Sequence, residues 1–141
     1  MTSSTLDLLD RSRHSLLLAC QSPDTTTRHR HAQLAALRAA ASVLAARRQP
    51  RRTALRAGVP GPHSLWELLP AWAPELAEWA GFFETMTVRS GPVSARDADD
   101  LLRQAEIFLD LVCHSLGVPA QGHVQADVLV PASDRRRDGH P

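Results

Sequence analysis

The chain has 141 residues, 43% hydrophobic and 22% charged, the proportions of a single soluble globular domain. No segment approaches a membrane span, and the apolar run "LLLAC" at 16–20 is too short for a signal-peptide core, so a cytoplasmic protein is expected. The net charge of +1 hides an asymmetry along the chain. Residues 25–66 contain no acid and carry +8, while residues 67–110 carry −6.

All sixteen basic residues are arginine, lysine and asparagine are absent, and Ile107 is the only isoleucine. That bias fits GC-rich coding, which weakens arginine abundance as a functional signal. Cys20 and Cys113 have neither metal-ligand spacing nor a disulfide framework, and reduced thiols are expected.

Residues 6–20 read as a first helix, with Thr5 as N-cap and Leu6, Leu9, Leu16 and Leu17 on or near one face. "SPD" at 22–24 opens a second helix, with Ser22 as N-cap and Pro23 in the first helical position. This helix runs to about Arg48 and is nearly apolar all round from Ala32 to Ala46, the pattern of an inner helix. Residues 49–63, with three prolines and two glycines, read as a loop.

The stretch "SLWELLPAWAPELAEWAGFFE" at 64–84 holds every tryptophan and two of the three phenylalanines. Leu65, Leu69, Trp72, Leu76, Trp79, Phe83 and Met86 alternate in spacing between four and three, one apolar face of a helix. Pro70 and Pro74 interrupt it, giving a short helix from Ser64 to about Leu69 and a longer one from about Pro74. Trp72, Trp79 and Phe83 are therefore expected in the core, whereas Trp66 and Phe82 lie off the line and are expected to be partly exposed.

The fourth helix has the clearest ends. Ser94 and Asp97 form a variant capping box, the stripe is Leu101, Ala105, Phe108, Val112 and Leu116, and Gly117 with Pro119 stops it. Together these make an all-α, antiparallel four-helix bundle over residues 1–117, followed by a disordered tail at 118–141.

Three stretches, "AQLAALRAAASVLAARRQP", "SLWELLPAWAPELAEWAGFF" and "VSARDADDLLRQAEIFLDLV", resemble a small actinobacterial branch of the HEPN (higher eukaryote and prokaryote nucleotide-binding) domains. The resemblance covers residues 5–117 and implies an all-α bundle, often dimeric, whose members bind nucleotides or RNA and include metal-independent ribonucleases. Ribonuclease members carry an arginine, four to six residues, then a histidine. Arg56 to His63 and Arg135 to His140 fit, but this composition gives about two such matches by chance. One falls in the expected loop and the other in the expected tail, where the fixed geometry of an acid–base pair is not expected. No catalytic residue, cofactor or metal site is therefore assigned. His29 and His31 point to different helix faces, a poor metal pair.

The strongest candidate site is the run Arg47, Arg48, Arg51, Arg52 and Arg56, five charges in ten residues suited to phosphates of RNA or a nucleotide. It competes with a solvated loop and with internal pairing to the acidic half of the chain. Arg38, within the most apolar helix, either reaches water along its stem or pairs inside the bundle with Glu75. Ile107 and Leu111 form a second apolar line on the fourth helix and are the candidate homodimer or partner contact.

Overall fold

The computed structural model describes residues 3–48 and 62–119, and among them every regular element is helical. Helix α1 spans Ser3–Gln21, α2 Thr25–Arg48, α3 Pro62–Trp72, α4 Ala77–Val88 and α5 Ala95–Leu116, with one 3-10 turn, Pro74–Leu76, before α4. The expected tail lies outside the described residues from position 120 onward.

Side-chain contacts fix the helix directions around the central α2. Arg28, near its start, meets Asp99 near the start of α5 at 2.6 Å. Arg47, near its end, meets Glu75 just ahead of α4 at 2.8 Å. Gln33 donates to the Met86 carbonyl late in α4, so α4 runs against α2 and α5 runs with it. The three-residue connection 22–24 turns α2 back along α1, and Arg13 donates to the sulfur of Cys113 while the later Cys20 lies near the earlier Glu106, so α1 is antiparallel to both α2 and α5. Thus α1, α2, α4 and α5 alternate in direction as a four-helix bundle, and α3 is an additional short helix. Cys20 and Cys113 are both free thiols.

The aromatic stretch does not form one continuous stripe. Pro70 leaves α3 intact, removing only the N–H that would reach the carbonyl of Trp66. The break comes at Ala73, whose backbone opens to φ −144 and ψ 74 ahead of Pro74. There the chain reverses, because the Trp66 and Phe83 rings stack with centroids 5.1 Å apart. Residues 66 and 83 of one straight helix would lie about 25 Å apart.

This corner corrects the expected exposure of Trp66, which is 3% exposed and also packs at 5.9 Å from Phe108. The inward face of α3 centres on Trp66, Leu69 and Ala73, and its neighbour Leu65 is buried beside them. Trp72 and Trp79 sit at the rim of the core, half-buried, with Phe83 inside and Phe82 exposed.

Helix α1 also turns a different face inward. Its buried residues are Thr5, Leu9, Ser12, Ser15 and Ala19, while Leu6 and Leu17 are exposed. Small residues allow close approach to the alanine face of α2, and the backbone of α2 satisfies part of the polarity this buries. Ser12 Oγ donates to the Ala35 carbonyl at 2.7 Å, and Arg38 donates to Ser15 Oγ at 2.8 Å. A net contribution of about 1 kcal/mol is typical of each such buried hydrogen bond.

Helix ends follow local chemistry. Asp24, rather than Ser22, caps α2, its carboxylate accepting the Thr27 N–H at 2.8 Å. Ser94 and Asp97 make the reciprocal capping box of α5. Gly117 adopts φ 74, and Val118 donates to the Cys113 carbonyl at 2.9 Å while packing on the core.

Candidate nucleic-acid interface

The last turn of α2 places Arg47 and Arg48 at the end of the bundle where α3 stops. Arg47 is already engaged. It donates to the Trp72 carbonyl at 2.9 Å and to both Glu75 oxygens at 3.3 and 2.8 Å, a forked pair that ties α2 to the α3–α4 corner. Hydrogen bonding from Arg47 is the main cause that holds the Glu75 carboxyl at about 2, well below its ordinary range. The Glu75 side chain remains 44% exposed, so solvent screening leaves the pair about 1 kcal/mol or less of stability.

The expected partnership of Arg38 with Glu75 is thereby corrected. Positions 38 and 47 are about two and a half helical turns apart, which places them on opposite faces of α2. Arg38 faces α1, where it donates to Ser15 Oγ and at 3.5 Å to the Arg11 carbonyl.

Arg48 is placed differently. Its guanidinium carbon lies 5.7 Å from the centroid of the Trp72 ring, within cation–π range. Among the described residues its buried Nε has no hydrogen-bond partner and no carboxylate pairs with it, so there the guanidinium meets the ring instead. Cation and half-buried indole together form a platform at the end of α2, where the acid-free segment continues into the arginine run. Apolar spacing alone marks Trp72 only as core. The signal that could have found its contact with Arg48 is positional, since α2 and α3 end at the same end of the bundle. Arg51, Arg52 and Arg56 lie outside the described residues, as do the side chain of His63 and both Arg135 and His140.

On the far side of α5, Ile107 and Leu111 are 41% and 37% exposed. Ile107 lies roughly opposite Leu101, Ala105 and Val112, which are buried, and Leu111 flanks that outer line. Among the described residues, no three His, Cys, Asp or Glu side chains come together as a metal ion would require. None of the described helices is long and apolar enough to cross a membrane.

A model of the SAV_6107-like HEPN family matches residues 19–113, more than half of the chain. The chain belongs to this family. The HEPN match takes in the last residues of α1 and almost all of α2 to α5, and so includes the Arg47–Glu75 pair and the Arg48–Trp72 platform. Most of α1, with its buried serines, lies outside the matched residues. Comparison with curated proteins and with solved structures finds no match.

Proposed function

We propose that this HEPN protein is a non-catalytic module that binds single-stranded nucleic acid at the C-terminal end of α2. The carrying observation is the Arg48–Trp72 pair, a cation held against an aromatic face beside an arginine-rich segment. Arginine neutralises phosphates, and an aromatic ring or a guanidinium plane gives bases a surface to stack on without selecting a sequence. The residues assigned to binding are Arg48, Arg51, Arg52 and Arg56. Arg47 is a positioning residue, because its forked pair with Glu75 fixes the end of α2. No step of bond cleavage is assigned, and His63 has no catalytic role in this reading.

The test is fluorescence anisotropy of a labelled RNA 12-mer across a salt series. Arg48→Gln combined with the same change at Arg51, Arg52 and Arg56 should weaken binding. It should also flatten the slope of log affinity against log salt by roughly 0.7 for every phosphate that is no longer neutralised. His63→Ala should bind as the parent does. Unchanged affinity and slope in the quadruple variant would refute the site, and RNA cleavage that disappears with His63→Ala would establish a ribonuclease instead.

A second reading, helical dimerisation or docking, rests on the exposure of Ile107 and Leu111. It uses a different face from the first, so the two are separable by mutation.

A further inference from the structure

At the opposite end of α2, a cleft of about 160 Å³ opens between that helix, the end of α4 and the start of α5. Positions 29 and 48 are about 28 Å apart along α2, so this cleft is separate from the Arg48–Trp72 platform. Its wall is the connection after Val88, which turns at Gly91 with φ 112, a conformation that side chains resist.

Several donors without an acceptor line part of the cleft. Arg89 forms no salt bridge among the described residues; its guanidinium meets the Met86 sulfur at 3.6 Å, and its charge reaches Asp97 across the cleft without direct contact. Within the same residues, the backbone N–H groups of Ser90, Gly91 and Val93 find no acceptor. His29 faces the same space from α2. The one acid in the lining, Asp97, is engaged by the N-terminus of α5, where its Oδ2 accepts the Ser94 N–H at 3.3 Å.

We propose that this cleft binds one phosphate-sized oxyanion, held by Arg89, by protonated His29 and by the free N–H groups of the 89–94 connection. A guanidinium and backbone donors without acceptors line one small concavity, the kind of group that recognises an oxyanion by charge and hydrogen bonding. Sites for drug-sized ligands occupy about 300–1,000 Å³, so this volume suits one small anion and is too small to enclose a whole nucleotide. The group is either a free ion or a phosphate presented at the end of a larger molecule.

The cleft also sets the pH dependence. Burial chiefly lowers the His29 pKa, with Asp97 opposing that shift and Arg89 adding to it. From α4 the cleft receives Met86 and Thr87, neither of which titrates, so among the described residues His29, Arg89 and Asp97 are its charged or titratable groups. A bound anion favours the imidazolium, so affinity rises as pH falls toward the depressed His29 value and levels off below it.

The experiment follows amide resonances of the full chain during titration with sodium sulfate, whose charge is constant across this range, at pH 8 and pH 5.5. Sodium chloride at equal ionic strength is the control. The amides of Ser90, Gly91 and Val93 should shift saturably with sulfate, more tightly at the lower pH. Arg89→Gln should weaken binding about tenfold or more, as loss of a charge-assisted hydrogen bond predicts. His29→Gln should remove most of the pH dependence. Inorganic phosphate should bind the same amides. A 5′-phosphorylated oligonucleotide that shifts them more tightly than its 5′-hydroxyl form would identify the source as a chain terminus, while inorganic phosphate binding as tightly would identify the free ion. Shifts equal in chloride, shifts that do not saturate, or sulfate affinity unchanged by Arg89→Gln would overturn the proposal.

Discussion

Replacing Trp66 by alanine tests the reversal of the chain at Ala73. The indole is buried, stacked at 5.1 Å on Phe83 and tilted at 5.9 Å to Phe108, so truncation opens a cavity between α3, α4 and α5. A large-to-small change at such a site costs about 3–5 kcal/mol, of which the ring geometry accounts for about 0.5–1.5. Trp79 is half-buried, with its ring centroid 6.2 Å from Phe83 and 5.9 Å from Phe108. Part of its cavity would fill with water, and a smaller loss of about 1–3 kcal/mol is expected. For a domain of this length, the Trp66 change should lower the melting temperature by roughly 10–20 °C. Thermal and urea unfolding followed by far-UV circular dichroism would measure both variants. If Trp66→Ala is no more destabilising than Trp79→Ala, the corner between α3 and α4 is wrong.

Three further outcomes can be checked on the same footing. Ser12→Ala should cost about 1 kcal/mol, whereas the larger Ser12→Val should cost about 1–3 through overpacking against α2; urea midpoints read both, and a stabilising valine would contradict the close α1–α2 approach. Because the folded Glu75 pKa is depressed to about 2 from an ordinary value near 4.5, the pair with Arg47 stabilises above that ordinary value and the contribution is lost as pH falls toward about 2. The stability gap between the parent and Glu75→Gln should therefore close over that window, and a gap independent of pH would deny the pair its role. Changing Ile107 and Leu111 together to glutamate should leave a folded chain with a single-chain mass by light scattering, since both side chains are exposed, while unfolding would mean that they pack inside the monomer.

What was legible in the sequence was what local chemistry determines. Helix α5 could be read from end to end because Ser94, Asp97 and Gly117 act within a few residues of its ends and its stripe runs uninterrupted between them. The break between α3 and α4 was legible in Pro70 and Pro74, but the reversal was not, because spacing of apolar residues continues through Ala73 even though the backbone there reverses. Helix α1 misled in another way. Leucines mark the apolar face by hydrophobicity, yet the alanine surface of α2 accommodates serines, and Leu6 and Leu17 are left outside. Of the candidate site, the arginine run was visible as charge. Which arginines are engaged depended on helix phase: Arg47 meets Glu75 and Arg38 meets α1, a distinction made by packing.

Nucleic-acid binding at the end of α2 is tested most directly by the three indole N–H resonances, one from each tryptophan, during titration with single-stranded RNA. Trp72 lies under Arg48 at the proposed site, whereas Trp66 is sealed in the core and serves as an internal reference. Binding there predicts a saturable shift of the Trp72 signal, together with the Arg48 side-chain Nε–H, while Trp66 stays fixed and the RNA remains uncut. A Trp72 signal that does not move while the amides of Ile107 and Leu111 shift would contradict it and place the binding surface on α5.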